Sequence, residues 1–565
     1  MIEEKVLAKK LSPSNIDKDN CIELLVAEEV INKFRDSLNK NQWNSLVDHC
    51  PWATGFQQWK FVKAWYELYQ ESYLPVLIIE KKGEDLSGIF PLAMDNNGWI
   101  IGAGADQAEY QVWAYFSSEC DDFVCQALDL VWSKLSPKGI HLKYLPQGTP
   151  TKWVQSHNKW QKRSFIKPHR HPILSAHSEK PSLELKKKNK REKINRLKRQ
   201  GELKFERILQ ADRFSDILDE LILQSDFRKG AAYNRELFSE DPYRKTFVKT
   251  LFDLGMLHVT LLKLDDEIIA SNVGLIGKKW VHLQGINTHS PFKAKQSPGI
   301  LHFLMLGQSL KEEGFEIFDL TPGADPYKSG LASEFREALE LTISKPRHLL
   351  LKKWGNKVNL QIKQGLKKIG ISDVTQRKYK GQYKILKNKW QHFFNGNPFT
   401  KIHKAYLDRK TQHSSPKLYH IDEQIRNLPH EQEGVFINKN SLKDLLCYAS
   451  QEEFIPKQVF LMDCMKKMEE GNEVFSHVKS NKLEFLVWMN TKPETVLNHP
   501  IIEEASQPPC LLYDFYCRSI ENPAFENFIK GVISKIAADN PGQEFFILSS
   551  HKIFQELMSR PSESI

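Results

Sequence analysis

Asp319 closes a short apolar run, F-E-I-F-D-L, and a Gly-rich turn, T-P-G-A-D-P-Y-K, follows it. Ligands gather at the ends of buried strands in α/β folds, so a carboxylate there can orient or deprotonate an amine. In the turn, Tyr327 can protonate a leaving group and Lys328 can bind an anionic substrate. His282 and Gln284 alternate along an apparent strand, Trp280 to Ile286, so both could line one cleft, with Asn287 and His289 just beyond. Ser297, Pro298, Gly299 and Ile300 open an apparent helix. Ser297 suits the N-cap, Pro298 the first position, and Gly299 leaves the backbone open. Free N–H groups of Gly299, Ile300 and Leu301 would then form an anion site. Earlier, Asp106, Glu109 and Tyr110 occupy the loop G-A-G-A-D-Q-A-E-Y, which could face a cleft between domains. Each residue also has a plainer reading: a turn-holder for Asp319, packing for Tyr327, a solvent-facing strand for the histidines. There is no Ser-His-Asp triad, no H-E-x-x-H, no P-loop and no metal-ligand spacing, so no metal is expected.

The elements that must position these residues recur along the chain. Phe56 to Trp65 carries aromatics on one helical face, and Leu74 to Glu80, Leu86 to Met94 and Trp99 to Ile101 read as strands. The Gly102 to Tyr110 loop, a helix at Asp122 to Leu135 and a strand at Gly139 to Leu145 follow. The same order returns with helices at Phe214 to Phe227 and Pro242 to Leu254. Strands at Met256 to Leu264, Ile268 to Ile276 and Trp280 to Ile286 come next. A polar loop, the Ser297 helix and a strand at Phe315 to Leu320 complete the second block. A weaker third pass runs from Lys457 to Ser549, with an unrelated α/β cap as the alternative. Such repetition implies similar mixed α/β domains side by side. Before the first block, residues 1–45 are polar, with a helix expected over Val26 to Leu38.

With 565 residues the chain exceeds one ordinary core. Its 41% hydrophobic and 27% charged residues fit a soluble globular protein rather than a disordered one. No apolar run approaches the roughly 20 residues of a membrane span, and the start lacks the apolar core of a signal peptide. The eight cysteines have no C-x-x-C pair and read as reduced thiols, which gives a cytoplasmic expectation. Net charge is +14 over the first 400 residues and −4 beyond them. The excess lies at Lys186 to Arg199, with nine basic residues, and at Lys345 to Lys389, with fourteen. Such faces suit an anionic partner, a membrane surface or tRNA, or else are simply solvated. Leu351, Trp354, Val358, Ile362, Leu366 and Ile369 give the second segment an apolar stripe, expected to dock on the second domain.

The combination of K-K-K-N-K-R-E-K-I-N-R-L-K-R-Q-G-E-L, L-K-L-D-D-E-I-I-A-S-N-V-G, S-P-G-I-L and F-D-L-T-P-G-A-D-P-Y-K resembles the CelD-like branch of the FemAB-type, GNAT-related acyltransferases. G-F-Q-Q-W-K-F-V-K-A-W, G-I-F-P-L-A-M and A-E-Y fit the same family, and the likeness covers about Pro51 to Lys345. The resemblance implies tandem GNAT-like domains with antiparallel meander sheets flanked by helices. The expected divisions are an N-terminal domain over residues 1–180 and a second, catalytic domain over 181–345. A basic helix and linker over 346–400 and a third, degenerate domain over 401–565 complete the plan. It further implies transfer of an acyl group from acyl-CoA to an amine, such as that of an amino sugar or sugar nucleotide, in polysaccharide or envelope synthesis. Ser297, Gly299 and Ile300 would hold the donor's pyrophosphate, Asp319 and Tyr327 would be catalytic, and Arg228, matching a family arginine, would hold a phosphate. Lys328, His282, Gln284, Asp106, Glu109 and Tyr110 would contact the acceptor. The family's basic R-x-x-G-x-G run is absent, which leaves CoA binding open in the second copy and argues against it in the third, where Arg518 to Asn527 carries carboxylates. Two other readings stand beside this one: an aminoacyl-tRNA-dependent transferase, and a non-catalytic scaffold in a glycan-assembly complex. A membrane-associated location is compatible with any of them.

Overall fold

The computed structural model describes residues 20–36, 38–350, 385–393, 412–421, 435–491, 509–518, 524–539 and 544–551. They fall into two compact units. One lies within Met1–Leu221, Asp241–His289 and Gln296–Gly370, the other within Ile222–Glu240, Ser290–Lys295 and Ile371–Ile565.

The first unit is built on one 13-stranded sheet. Its strands are β1 (Asn20–Val26), β2 (Leu74–Lys82), β3 (Asp85–Met94), β4 (Trp99–Gly102), β5 (Ala114–Tyr115), β6 (Gly139–Leu145) and β7 (Ser164–Ser175). They continue with β8 (Leu203–Ile208), β9 (Leu257–Leu264), β10 (Glu267–Gly277), β11 (Trp280–His289), β12 (Ile317–Asp319) and β13 (Glu334–Ser344). The strands β2, β3 and β4 form an antiparallel meander with β1 outside β2. The helix Asp121–Leu135 then carries the chain back, so β6 lies parallel to β4, as a helical crossover permits. In the second half β9, β10 and β11 form the meander, β8 lies outside β9, and the helix Pro298–Glu312 leads to β12, parallel to β11. The expected order of helix, meander, helix and strand is therefore present twice. Near-continuous burial along β2, β3, β9 and β10 explains why these strands read as apolar runs rather than as alternating patterns.

The two halves are joined by an exchange of strands. β7 follows the first half in sequence but pairs with β12 of the second, while β13 follows the second half and pairs with β6 of the first. β7 and β13 then pair with each other, antiparallel, from Ile173 opposite Glu334 to Ser164 opposite Ile343. Pro168 and Pro172 lie inside β7, a position that a central strand normally forbids. They are tolerated because β12 reaches only Ile173 to Ser175, so the stretch containing both prolines is paired on one side, by β13.

Several local expectations shift. The helix expected from Val26 starts at Glu28, and β1 precedes it. The strand expected over Phe315 to Leu320 shrinks to β12, because Gly314 (φ 78°) and Thr321 (φ 61°) turn the backbone left-handed on either side. The basic run forms the helix Lys188–Lys198; Leu197 is fully buried with Leu262, Leu264 and Leu301, and most of the remaining face is exposed. The segment Leu351 to Ile369, including Trp354 and Val358, lies outside the described residues.

The second unit carries a six-stranded sheet. Its strands are β14 (Gln412–Ile421), β15 (Asn438–Lys439), β16 (Glu473–Lys479), β17 (Lys482–Asn490), β18 (Cys510–Cys517) and β19 (Phe545–His551). β15 to β18 form a meander, the helix Ala524–Asp539 follows, β19 is parallel to β18, and β14 lies outside β19. This is the same strand plan a third time, and the chain is mixed α/β throughout. All eight cysteines are free thiols. Among the described residues no helix is long and apolar enough to cross a membrane.

Candidate functional site

Parallel pairing of β11 and β12 sets His282 opposite Asp319. Antiparallel pairing of β12 and β7 sets Asp319 opposite Ile173, and His171, two residues along β7, shares its face. The exchanged strand therefore delivers a histidine to the end of β12. Tyr110 arrives from the loop after β4. These side chains meet in the closed centre of the first unit, where Asp319 and His282 are fully buried and His171 is 2% exposed.

Asp319 accepts four hydrogen bonds. Oδ1 takes one from His171 Nε2 at 2.6 Å and one from the Thr321 N–H at 2.8 Å. Oδ2 takes one from His282 Nδ1 at 2.6 Å and one from the Tyr110 hydroxyl at 2.9 Å. Burial alone would raise the Asp319 pKa, but the charge and hydrogen bond of His171 and the hydrogen bond of His282 outweigh it, holding the carboxyl well below the usual range. Burial lifts the Tyr110 phenol well above its ordinary value, and the charge of Asp319 adds to this. At neutral pH the pair is thus a carboxylate and a phenol donor. A carboxylate only accepts, so each imidazole in its neutral form carries its proton on the nitrogen facing Asp319. The other two nitrogens, His171 Nδ1 and His282 Nε2, are buried and without a hydrogen-bond partner among the described residues. Both histidines line a cavity of about 150 Å³, with Tyr110, Trp52, Trp280 and Arg336. An imidazole fixed by a buried carboxylate, with its second nitrogen unbonded among the described residues, is the arrangement of a general base.

The wall of the cavity is fixed by a loop at residues 51–57. Trp52 Nε1 donates to the Trp113 carbonyl at 2.9 Å, Trp43 Nε1 to the Gln57 carbonyl at 2.8 Å, and Gln57 Nε2 to the Tyr110 carbonyl at 2.8 Å. The loop touches β10 backbone to backbone: a Cβ on Gly277 would lie 2.2 Å from the Gly55 Cα. Gly277→Ala must push the loop off the sheet. The expected outcome is a loss of about 1–3 kcal/mol in urea unfolding, the usual cost of overpacking, whereas Gly83→Ala, with open space around its Cβ, tests left-handed strain alone.

The expected site residues separate. Tyr110, His282 and Asp319 come together. Lys328 is buried and joins them at one remove: its Nζ donates to Thr321 Oγ1 at 2.8 Å, and burial lowers its pKa against the pull of Asp325 and Glu109. Glu109 pairs with Lys143 at 2.7 Å. Asp106 pairs with Arg244 at 2.8 Å and lines a different cleft with Tyr73, Asp95 and His141. Tyr327 stacks on Phe303 against an apolar cluster. Arg228 lies in the helix Ala211–Tyr233 and in the second compact unit. Gln284 is on β11, and its side chain lies outside the described residues.

Two details of the helix start differ from expectation. Ser297 has a left-handed φ of 53° and no side-chain cap bond; its hydroxyl accepts instead from Lys193 Nζ at 2.6 Å. The N–H groups of Ile300 and Leu301 are not free, since both donate to the Ser297 carbonyl, at 3.1 and 3.2 Å. This leaves Gly299 as the backbone donor and brings Lys193 of the basic helix to the same point. Sequence alone does not single out His171. The available signal was the triplet H-R-H between Pro168 and Pro172, but those prolines hide the strand that carries it.

Residues 186–329 match the family model described as the acetyltransferase (GNAT) domain. The chain thus carries an acyltransferase enzyme domain across β8 to β12. No curated protein matches the chain. Among solved structures, FemX is 10% identical over 55% of this chain and 98% of its own, with a TM-score of 0.39. A tandem GNAT protein from the clavulanic acid biosynthesis pathway is 12% identical over 57% and 98%, at 0.36. L-PGS from Bacillus licheniformis is 12% identical over 47% and 83%, at 0.30. Likenesses this distant carry no argument about substrate.

Proposed function

We propose that this chain transfers an acyl group from acyl-CoA to the amine of a small acceptor, such as an amino sugar or sugar nucleotide, at the cavity lined by Tyr110, His171 and His282, with Asp319 bonded behind them. The observation that carries this reading is one buried carboxylate holding two imidazoles, each with a nitrogen unpartnered among the described residues. His282 Nε2 takes the proton that the attacking nitrogen sheds. Asp319, saturated by four donors, does not take it; the carboxylate fixes the tautomer and stabilises the imidazolium that forms. Tyr110 and Thr321 hold Asp319 in place. A role in polysaccharide or envelope synthesis fits an amino-sugar acceptor and is part of the same proposal.

Acyl-CoA supplies an activated carbonyl on sulfur. The helix start at Pro298 suits its phosphates: the Gly299 N–H lies at the positive end of the helix, and Lys193 reaches Ser297 beside it. Lys190 is nearby in sequence and has its pKa lowered by burial and by the charge of Lys193.

A Cβ at position 299 would meet His289 Cδ2 at 3.3 Å, so Gly299→Val crowds the helix start without imposing a forbidden φ. Calorimetry on the full chain should show acetyl-CoA affinity falling at least about tenfold, or ~1.4 kcal/mol. Unchanged affinity would move the donor site elsewhere, with the Gly102 to Tyr110 loop as the next candidate. Thiol release from acetyl-CoA in the presence of small amines tests the reaction itself.

Transfer from an aminoacyl-tRNA is the second reading. It is favoured by the exposed face of the helix Lys188–Lys198, where backbone phosphates would give strongly salt-dependent binding. A scaffold role has no use for the buried Asp319 network.

A further inference from the structure

We infer that the second unit carries a docking surface for an anionic membrane, formed by the exposed face of the helix 385–393 and the turn at Phe454 and Ile455. This is independent of the acyl-transfer reading above. It concerns where the chain works rather than what it transfers.

One side of this helix is docked. Asn388 Nδ2 donates to Gln458 Oε1 at 2.8 Å, and His392 Nε2 donates to the Glu453 carbonyl at 3.0 Å. Residues 388 and 392 lie one above the other, a turn apart, so the two bonds fix how the helix is rotated. The opposite side faces outward, where Leu386 is 54% and Trp390 61% exposed. Lys387 and Lys389 lie between them in sequence, both exposed. Beyond Trp390, Phe393 packs edge-on against Phe454, with ring centroids 6.2 Å apart. That contact carries the surface onto the turn, where Phe454 is 57% and Ile455 47% exposed. Four of the twelve large apolar side chains exposed among the described residues thus fall in two short segments that touch. Single exposed apolar residues are ordinary; a contiguous set marks a binding face. The helix is also inverted for one in a water-facing position: its hydrogen-bonding side chains point to the protein, its Leu and Trp away from it.

Charge decides what covers this face. The helix closes the most basic stretch of the chain: Lys345 to Lys389 holds fourteen basic residues and one acid. A layer of anionic headgroups complements that excess. In such a layer Trp390, Leu386, Phe454 and Ile455 reach the acyl boundary. The stems of Lys387 and Lys389 lie along the apolar surface while their ammonium groups meet phosphates. A protein partner fits less well, because lysine is depleted from the cores of protein interfaces. A nucleic acid would match the charge but would leave Leu386 and Ile455 without an apolar neighbour.

The test is flotation of the full chain with vesicles of phosphatidylcholine alone, or of phosphatidylcholine with about 30% phosphatidylglycerol as the anionic lipid. The chain is expected to float with the anionic vesicles and not with the neutral ones. The bound fraction should fall as salt rises from about 0.05 to 0.5 M, where headgroup charge is screened. Leu386→Ser combined with Trp390→Ser should weaken binding by about tenfold or more, since both side chains lose their apolar burial. Both residues are exposed, so the double variant is expected to fold, which circular dichroism checks. Lys387→Gln combined with Lys389→Gln should weaken binding and flatten its salt dependence. A second readout does not depend on the serine variants. Vesicles with brominated acyl chains should quench tryptophan fluorescence, and Trp390→Phe should reduce that quenching while the chain still floats. No flotation, or equal flotation with both kinds of vesicle, overturns the inference. So does unchanged flotation of the folded double serine variant, which would put the lipid contact elsewhere, such as the helix Lys188–Lys198. Self-association that the same variant abolishes, without flotation, would instead make this face an interface between copies of the chain and would equally overturn it.

Discussion

His282→Gln lowers the rate of acyl transfer about 10²–10⁴-fold, the range for loss of a positioned general base, and leaves acetyl-CoA affinity unchanged. That loss corresponds to about 3–5 kcal/mol of transition-state stabilisation. Glutamine can still donate an amide N–H toward Asp319, but it brings no basic lone pair to the cavity. The fall should therefore appear in single-turnover thiol release. The proposed donor site at Lys193, Ser297 and Gly299 is built from other elements, so calorimetry should not change. A rate within a few-fold of wild type, in a variant that folds, would show that His282 is not the base.

Asp319→Asn has the larger effect on the fold. The carboxylate is fully buried and accepts four bonds. An amide keeps one acceptor oxygen and turns a donor toward groups that themselves donate. Removing one partner of a buried charge network costs about 3–5 kcal/mol, which urea unfolding at neutral pH would reveal. The pH dependence has a definite sign. The folded pKa of Asp319 is depressed, so its contribution is complete above the unfolded carboxyl value of roughly 3.9 and is lost as pH falls below that toward the folded value. The stability gap between wild type and variant should stay level near neutrality and narrow in acid below about pH 4. A gap already small at neutral pH would mean that the network does not hold the site.

Much of this architecture is legible in the sequence, and the exceptions share one cause. β2, β3, β9 and β10 are buried along most of their length and read as apolar runs. Asp319 is legible because it ends such a run. Tyr110 and His282 are legible as chemistry-bearing residues, though not as partners, since Tyr110 is 209 residues from Asp319. β7 is not legible. Its half-exposed face and two prolines erase both alternation and propensity, and with it goes His171. β13 is similar, with Glu334, Phe335, Arg336 and Glu337 opening the strand on its more exposed end. What places both strands is pairing across a long sequence separation, and no local pattern encodes that. The helix start shows a smaller case: a Ser-Pro sequence predicts a cap, while the left-handed φ of Ser297 gives the role of acceptor to its carbonyl.

The exchange of β7 and β13 bears on how the protein is made. On the ribosome, the first half emerges with every strand except the one that must lie beside β6. That strand begins at Glu334, after the whole second half has been synthesised. Until then β6 has one bare edge, and β7 has only the short pairing of Ile173 to Ser175 with β12, with nothing beside His171. The usual order, in which an N-terminal portion folds while the rest is still being translated, cannot be completed here. A chain halted before Glu334 presents open strand edges of the kind that recruit other chains. The proposed reacting centre is thus among the last parts of the first unit to form, and chains halted before Glu334 are expected to carry no activity through it.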